Sequence, residues 1–102
     1  MRQLPHPDLQ DVSVPRVLSA LGDPVRLGMV RTLSDGEEHL RGEFEYELAQ
    51  STISHHVKTL VDAGIALARR EGTRCFVSLR PQLEDRFPGL LTAVLAQQDS
   101  PR

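Results

Sequence analysis

The chain has 102 residues, of which 39% are apolar, with one cysteine and a formal net charge of −2. This length predicts a single domain over residues 1–102, with an ordered core over about residues 12–97. No apolar stretch is long enough to span a bilayer, and the first ten residues lack the apolar segment of a secretory signal. One cysteine cannot form an internal disulfide, so we expect a protein of the reducing cytoplasm.

The positive charge is concentrated in one block of the chain. Residues 51–80 carry five lysine and arginine residues against two acidic residues, which gives a local charge of +3. Residues 1–50 carry five arginines against nine acids, and the last 22 residues carry two arginines against three acids. This asymmetry indicates a local face that binds a polyanion on an otherwise acidic body.

Two amphipathic helices are predicted in the first third of the chain. The first covers residues 14–21, where apolar side chains recur at helical spacing between a serine cap and a glycine. The second follows an aspartate–proline pair, typical of a helix start, and covers about residues 24–33. Residues 34–38 then have the composition of a loop, and His39 is interpreted as a solvated loop histidine. Residues 41–50 are interpreted as a short helix.

A stronger pattern predicts a helix over residues 51–63, with Ser51 as its N-cap and Gly64 as its C-terminal stop. Four apolar residues share one side of this helix, and these are Ile53, Val57, Leu60 and Val61. The opposite side is polar and presents Ser51, Thr52, His55, Lys58, Thr59 and Asp62, with Ser54 and His56 on its flanks. Such an outward face can donate and accept hydrogen bonds.

A β-hairpin and a last helix complete the predicted elements. Residues 65–70 and 75–79 are two short strands, and Gly72 supplies the turn between them. Pro81 ends the second strand. The last helix is predicted from an apolar stripe formed by Phe87, Leu90, Leu91, Val94 and Leu95.

The order of these elements is that of a winged helix-turn-helix domain, mainly α with a small β-hairpin. In that fold, the second helix of the motif enters the major groove, where base edges carry a full donor and acceptor code, and the hairpin lies beside it. The residues expected to contact bases are Ser51, Thr52, Ser54 and His55. The residues expected to contact the DNA backbone are Gln50, His56, Lys58, Thr59, Arg69, Arg70, Thr73 and Arg74.

Three blocks of the sequence also resemble one family. LGDPVRL at residues 21–27 is similar to the LxDPxRL signature of ArsR-type transcriptional repressors. STISHHVKTL at residues 51–60 resembles their recognition helix, and DAGI at 62–65 with RREG at 69–72 resembles the segment that leads into the wing. The resemblance covers about residues 17–79 with the blocks in order, which makes it specific.

The resemblance implies a homodimeric repressor that binds a palindromic operator on double-stranded DNA and is released by a small molecule or a chemical signal. Dimerisation through the terminal helices is also indicated by the residues, because two amphipathic helices leave more apolar surface than one small core covers. A dimer would place two recognition helices about 34 Å apart. The residues expected at the dimer interface are Val14, Val17, Leu18, Leu21, Leu90, Leu91, Val94 and Leu95.

No metal, cofactor or catalytic site is predicted. His55 and His56 are adjacent and diverge on a helix, whereas chelation wants i, i+4 spacing. The third helix lacks the Cys-x-Cys pair, and the last helix lacks the Asp and His ligands, of metal-sensing ArsR members. Motifs of hydrolases and phosphate loops are also missing. Two alternatives stay open, namely a winged-helix protein-interaction module and a redox-responsive regulator that uses Cys75.

Overall fold

The computed structural model describes residues 2–3, 5–44 and 49–97. Its helices are α1 (Val14–Leu21), α2 (Pro24–Leu33), α3 (Gln50–Asp62), α4 (Gln82–Arg86) and α5 (Leu90–Leu95), with 3-10 helices at Leu9–Asp11 and Arg41–Phe44. Its strands are β1 (Arg2–Gln3), β2 (His39–Leu40), β3 (Ala66–Glu71) and β4 (Arg74–Leu79), all antiparallel in the order β1-β3-β4-β2. This mainly helical arrangement with a hairpin after α3 is the winged helix-turn-helix fold that the sequence predicts.

Helices α1 and α2 have the bounds predicted from the sequence, and local chemistry sets their starts. The hydroxyl of Ser13 accepts a hydrogen bond from the backbone N–H of Arg16 at 3.3 Å. The carboxylate of Asp23 accepts from the N–H groups of Val25 and Arg26 at 2.9 and 3.0 Å. These caps satisfy backbone donors that have no partner inside a helix. The two bonds to Asp23 therefore fix the start of α2 close to the end of α1.

The short helix predicted over residues 41–50 is a 3-10 turn at Arg41–Phe44, and residues 45–48 lie outside the described part of the chain. Strand β2 at His39–Leu40, which pairs with β4, is not predicted by the sequence. The reason is that a two-residue strand has no periodicity of its own and exists only because β4 is beside it. Phe44 ends the turn with 1% of its surface exposed and anchors this segment in the core.

Helix α3 begins one residue earlier than predicted, at Gln50, and its N-cap is Ala49 rather than Ser51. Ala49 has an extended conformation and its carbonyl accepts from the N–H groups of Thr52 and Ile53, but no side chain caps the helix. Ser51 lies inside the first turn. The predicted stop is confirmed, since Gly64 follows the helix with φ +83°, a conformation that favours glycine.

The hairpin is confirmed, with Glu71 paired to Arg74 across a two-residue turn. Gly72 has φ +63° and Thr73 has no positive φ, which is the pattern of a type II′ turn. Strand β1, which is not predicted by the sequence, pairs with β3 and adds an outer strand to the hairpin. The wing is therefore part of a four-stranded sheet.

The last helix, predicted from Phe87 onward, begins later, as α5 at Leu90, and a separate short helix that was not predicted, α4, precedes Phe87. Phe87 lies between them with φ −135° and ψ 77°, and Gly89 has φ +78°. Phe87 precedes Pro88, and a proline disfavours the helical conformation of the residue before it. Leu83 on α4 is buried with 2% of its surface exposed, so the apolar stripe starts earlier than predicted.

The core lies between α1, α2, α3 and the inner face of the hairpin. Its largest fully buried side chains are Phe44, Met29, Leu33, Ile53, Leu60, Ile65, Leu83, Val17, Val30 and Val77. The apolar side predicted for α3 is confirmed, because all four of its residues are buried. Burying this side directs the polar side of α3 outward. In the part of the chain that the structure describes, no helix is long and apolar enough to cross a bilayer.

Candidate nucleic-acid interface

The first turns of α3 carry the four residues predicted to contact bases. Ser51 and His55 are exposed on successive turns, and Thr52 and Ser54 are half-buried beside them. Gln50 is exposed at the start of the same helix, and Lys58 follows one turn after Ser54 with 74% of its side chain exposed. The structure therefore brings these residues together on one outward surface, which we call the α3 face. Small side chains on this face would let the helix backbone come close to the base edges in a DNA groove.

Two predicted backbone contacts on α3 lie apart from the α3 face. Nδ1 of His56 is 3.1 Å from Nη1 of Arg26, whose Nε donates to the carbonyl of Ala20 at 2.7 Å. Because a guanidinium can only donate, the histidine nitrogen accepts. Nδ1 of His56 thus joins α3 to the junction of α1 and α2. Thr59 is half-buried and lines a shallow depression beside α1.

Arg26 is a residue that sequence reasoning left unassigned. Its guanidinium connects the end of α1, at Ala20, with the middle of α3, at His56. At the start of α2, hydrogen bonding from the Arg26 N–H, with help from the charge of the Arg26 side chain, lowers the pKa of Asp23. This arrangement fixes the orientation of α3 relative to the helix before it. In the sequence, Arg26 is marked by its position in the LGDPVRL block, but that position does not indicate its hydrogen-bond partners.

Arg69 and Arg70 lie on opposite faces of the hairpin, because side chains alternate along a strand. The guanidinium of Arg69 donates to both carboxylate oxygens of Glu38 at 2.6 and 2.7 Å and to Glu71 at 3.0 Å. It also stacks 4.4 Å from the ring centroid of Phe76. Hydrogen bonds to Glu38 and then to Glu71 raise the pKa of Arg69 above its ordinary value. Its charge is thus neutralised within the chain.

Arg70 and the turn residues remain available to a ligand. Arg70 is exposed and pairs across the sheet with Cys75, on the face that looks toward α3. Thr73 and Arg74 are exposed at the turn, and the guanidinium of Arg74 lies 5.1 Å from the ring centroid of Phe76. Lys58 and Arg70 form a cationic surface beside the α3 face, whereas the guanidinium of Arg74 lies on the other face of the hairpin, with Phe76 and Arg69. Nζ of Lys58 also forms an ion pair with the carboxylate of Asp62, at 3.2 Å.

His39 is not the solvated loop histidine predicted from the sequence. Only 14% of its side chain is exposed, its Nε2 lies 2.9 Å from Asp35 and its Nδ1 lies 3.0 Å from Glu43. Hydrogen bonds to Glu43 and then to Asp35 raise the pKa of His39. The signal in the sequence was the pair of acids four residues before and after it. This cluster lies at β2 and the turns on either side of it.

The predicted dimer residues fall into three groups by exposure. Val17 and Leu21 are already covered by the chain's own core, with 0% and 6% of their surface exposed. Among the residues that the structure describes, the exposed large apolar side chains are Val14, at 37%, and Leu18, at 47%. Four half-buried residues of α5 pack against the core, and these are Leu90, Leu91, Val94 and Leu95. The outward apolar surface of α1 is therefore narrower than predicted.

Two further candidate sites are a metal site and the thiol of Cys75. Within residues 2–3, 5–44 and 49–97, no group of three or more His, Cys, Asp or Glu residues is arranged to hold a metal ion. Cys75 is 5% exposed and belongs to the hydrophobic core, where it acts as a small apolar residue.

Comparisons with known proteins point to gene regulators. A helix-turn-helix domain family matches residues 21–69 of the chain. The uncharacterized HTH-type transcriptional regulator YceK of Bacillus subtilis is 36% identical over 83 residues, which cover 78% of this chain and 80% of the relative. The arsenical resistance operon repressor of Staphylococcus xylosus is 34% identical over 70 residues, which cover 68% of this chain and 67% of that repressor.

A solved structure shares the fold. It is the homodimeric winged helix-turn-helix DNA-binding domain from Mycobacterium bovis, determined in solution by NMR. It matches this chain with a TM-score of 0.66 at 26% sequence identity, and the match covers 85% of this chain and 82% of that domain.

Proposed function

Because the chain belongs to the ArsR family of winged helix-turn-helix DNA-binding transcriptional regulators, we propose that it acts as a cytoplasmic homodimeric repressor of a palindromic operator. The observation that carries this proposal is the α3 face, with small polar side chains at the start of a helix and a cationic surface beside it. A helix of this kind reads base edges in the major groove, while cations bind phosphates.

The proposed contacts follow from exposure. Base edges are contacted by Ser51, Thr52, Ser54 and His55. The DNA backbone is contacted by Gln50, Lys58, Arg70, Thr73 and Arg74. Arg69 and His56 are left out, because Glu38 and Glu71 bind Arg69 and because Arg26 binds His56. Thr59 is left out as well, since it lies beside α1.

The proposed dimer uses the exposed apolar residues of α1 together with α5. Val14 and Leu18 are large, exposed and one turn apart, which suits a self-complementary contact across a two-fold axis. The Mycobacterium bovis domain, which shares the fold, is a homodimer, and this supports a dimer here. Two α3 helices separated by about 34 Å would then match half-sites one DNA turn apart. A repressor of this kind needs an effector that weakens the bound state.

The test is a fluorescence-anisotropy titration against the DNA upstream of the protein's own gene, with a scrambled duplex as control, at several salt concentrations. We expect tighter binding to the upstream duplex and a steep loss of affinity with salt. His55→Ala should weaken specific binding by about 1–3 kcal/mol and change binding to the scrambled duplex little. Gln82→Ala, exposed on α4, is the matched control and should change neither.

Equal, weak binding to both duplexes that does not depend on salt would contradict the proposal. That result would favour a winged helix that binds protein, for which the acidic charge of the rest of the chain provides a surface. Sedimentation of the free protein tests the dimer separately. Leu18→Glu should shift it to a monomer, because a charge placed at the centre of an apolar contact is buried without a partner.

A further inference from the structure

A groove of about 340 Å³ lies between α3 and the inner face of the hairpin. Its floor is apolar and is formed by Val57 and Val61 of α3 and by Ala68 and Cys75 of the hairpin. Pockets that hold small organic molecules begin at about 300 Å³ and combine an apolar lining with a few polar groups. The groove is therefore large enough for one small molecule per protomer.

The rim of the groove is cationic. Arg41, Lys58 and Arg70 reach it from the 3-10 turn, α3 and β3, and among the described residues Asp62 is the one carboxylate that lines it. Asp62 pairs with Lys58 at 3.2 Å. Among the described residues, no carboxylate forms an ion pair with Arg41 or Arg70. Three cations around one acid favour a ligand that carries a negative charge at the rim.

Contact with DNA would explain the cationic rim of this groove but not its apolar floor. A phosphate is strongly hydrated and binds at the rim, whereas the four apolar residues of the floor gain nothing from it. Those residues favour a ligand with an apolar body that leaves water. We propose that the groove binds a small amphipathic organic anion, with a hydrocarbon or aromatic body on the floor and one carboxylate or sulfonate against Arg41 and Arg70.

Binding in the groove has a consequence for DNA recognition. Ser54 and Lys58 line the groove and belong to the residues proposed to contact DNA. A bound anion would cover them and would neutralise Arg70, so ligand and DNA would exclude one another. This consequence rests on the proposed function and assigns the effector to a class of molecule. The binding site itself does not depend on it.

The site is tested on the full chain without DNA, using 8-anilinonaphthalene-1-sulfonate as a fluorescent probe. We expect saturable binding of one probe per protomer, and displacement by decanoate but much less by decanol. Arg41→Ala and Arg70→Ala should each weaken probe binding about fivefold, as expected for a partly exposed ion pair. Arg74→Ala is the matched control, because Arg74 is exposed at the turn outside the groove, and should leave binding unchanged.

Three outcomes would overturn the site: no saturable binding, equal displacement by decanol and decanoate, or equal weakening in all three arginine variants. Loss of probe binding in Leu18→Ser, with normal binding in Arg70→Ala, would place the probe on α1 and would also overturn it. The second measurement adds decanoate to the anisotropy titration and should lower affinity for DNA. If the probe binds but decanoate leaves DNA binding unchanged, the site stands and its role as effector site is refuted.

Discussion

Replacing Gly64 by alanine tests how the end of α3 is fixed. Gly64 has φ +83°, and a Cβ at this position would lie 2.5 Å from Cγ2 and 3.1 Å from Cγ1 of Val12. Val12 is 3% exposed, so its side chain has little room to move away. Gly64→Ala therefore combines backbone strain with a steric clash. Gly36 offers a matched control, because it has φ +81° and no heavy atom within 4 Å of its added Cβ.

The two contributions can be estimated separately. A left-handed alanine costs about 1–2 kcal/mol, and the reduced freedom of the unfolded chain offsets about 0.4–1 kcal/mol of this. Gly36→Ala should thus lower the free energy of unfolding by about 1 kcal/mol. Crowding a packed core adds about 1–3 kcal/mol, so Gly64→Ala should lower it by about 2–4 kcal/mol.

Urea unfolding followed by circular dichroism, at one fixed protein concentration, measures both values. Adding Val12→Ala to Gly64→Ala should remove the clash, so that the double variant loses less than the sum of the two single losses. Equal losses for Gly64→Ala and Gly36→Ala, or additive losses in the double variant, would refute the clash with Val12.

Three further predictions concern charged side chains. Arg70→Ala should reduce the slope of log affinity against log salt by about 1, whereas Arg69→Ala, already paired within the chain, should leave it unchanged; equal slopes in the anisotropy titrations would contradict the assignment. Arg26→Ala should lower the free energy of unfolding by about 1–3 kcal/mol, since it removes hydrogen bonds to Ala20 and His56; an unchanged urea midpoint would argue against this. The pKa of His39 is raised in the folded chain, so protonated His39 should stabilise the fold. This stabilisation should be fully present below pH 6.5 and should be lost as the pH rises through the higher pKa of the folded chain. His39→Gln, compared by urea unfolding across pH, should lack this dependence.

Features set by neighbouring residues could be predicted from the sequence. Asp23 and Pro24 start α2 because a carboxylate satisfies the first free N–H groups and a proline needs none. Gly64 and Gly72 end α3 and turn the hairpin because both positions require a positive φ. The buried side of α3 follows from helical spacing alone, and burying it determines which side faces outward. The α3 face was therefore predictable.

Features set by residues distant in the sequence required the tertiary structure. Arg26 binds His56, 30 residues away, and Glu38 binds Arg69, 31 residues away. No local pattern encodes either contact, because each depends on how two elements pack. The same packing makes Arg69 a structural residue and leaves its neighbour Arg70 beside α3. The sequence by itself determined which helix carries the polar face and where it ends. Tertiary structure decided which cations remain available to a ligand, since pairing depends on contacts across the fold.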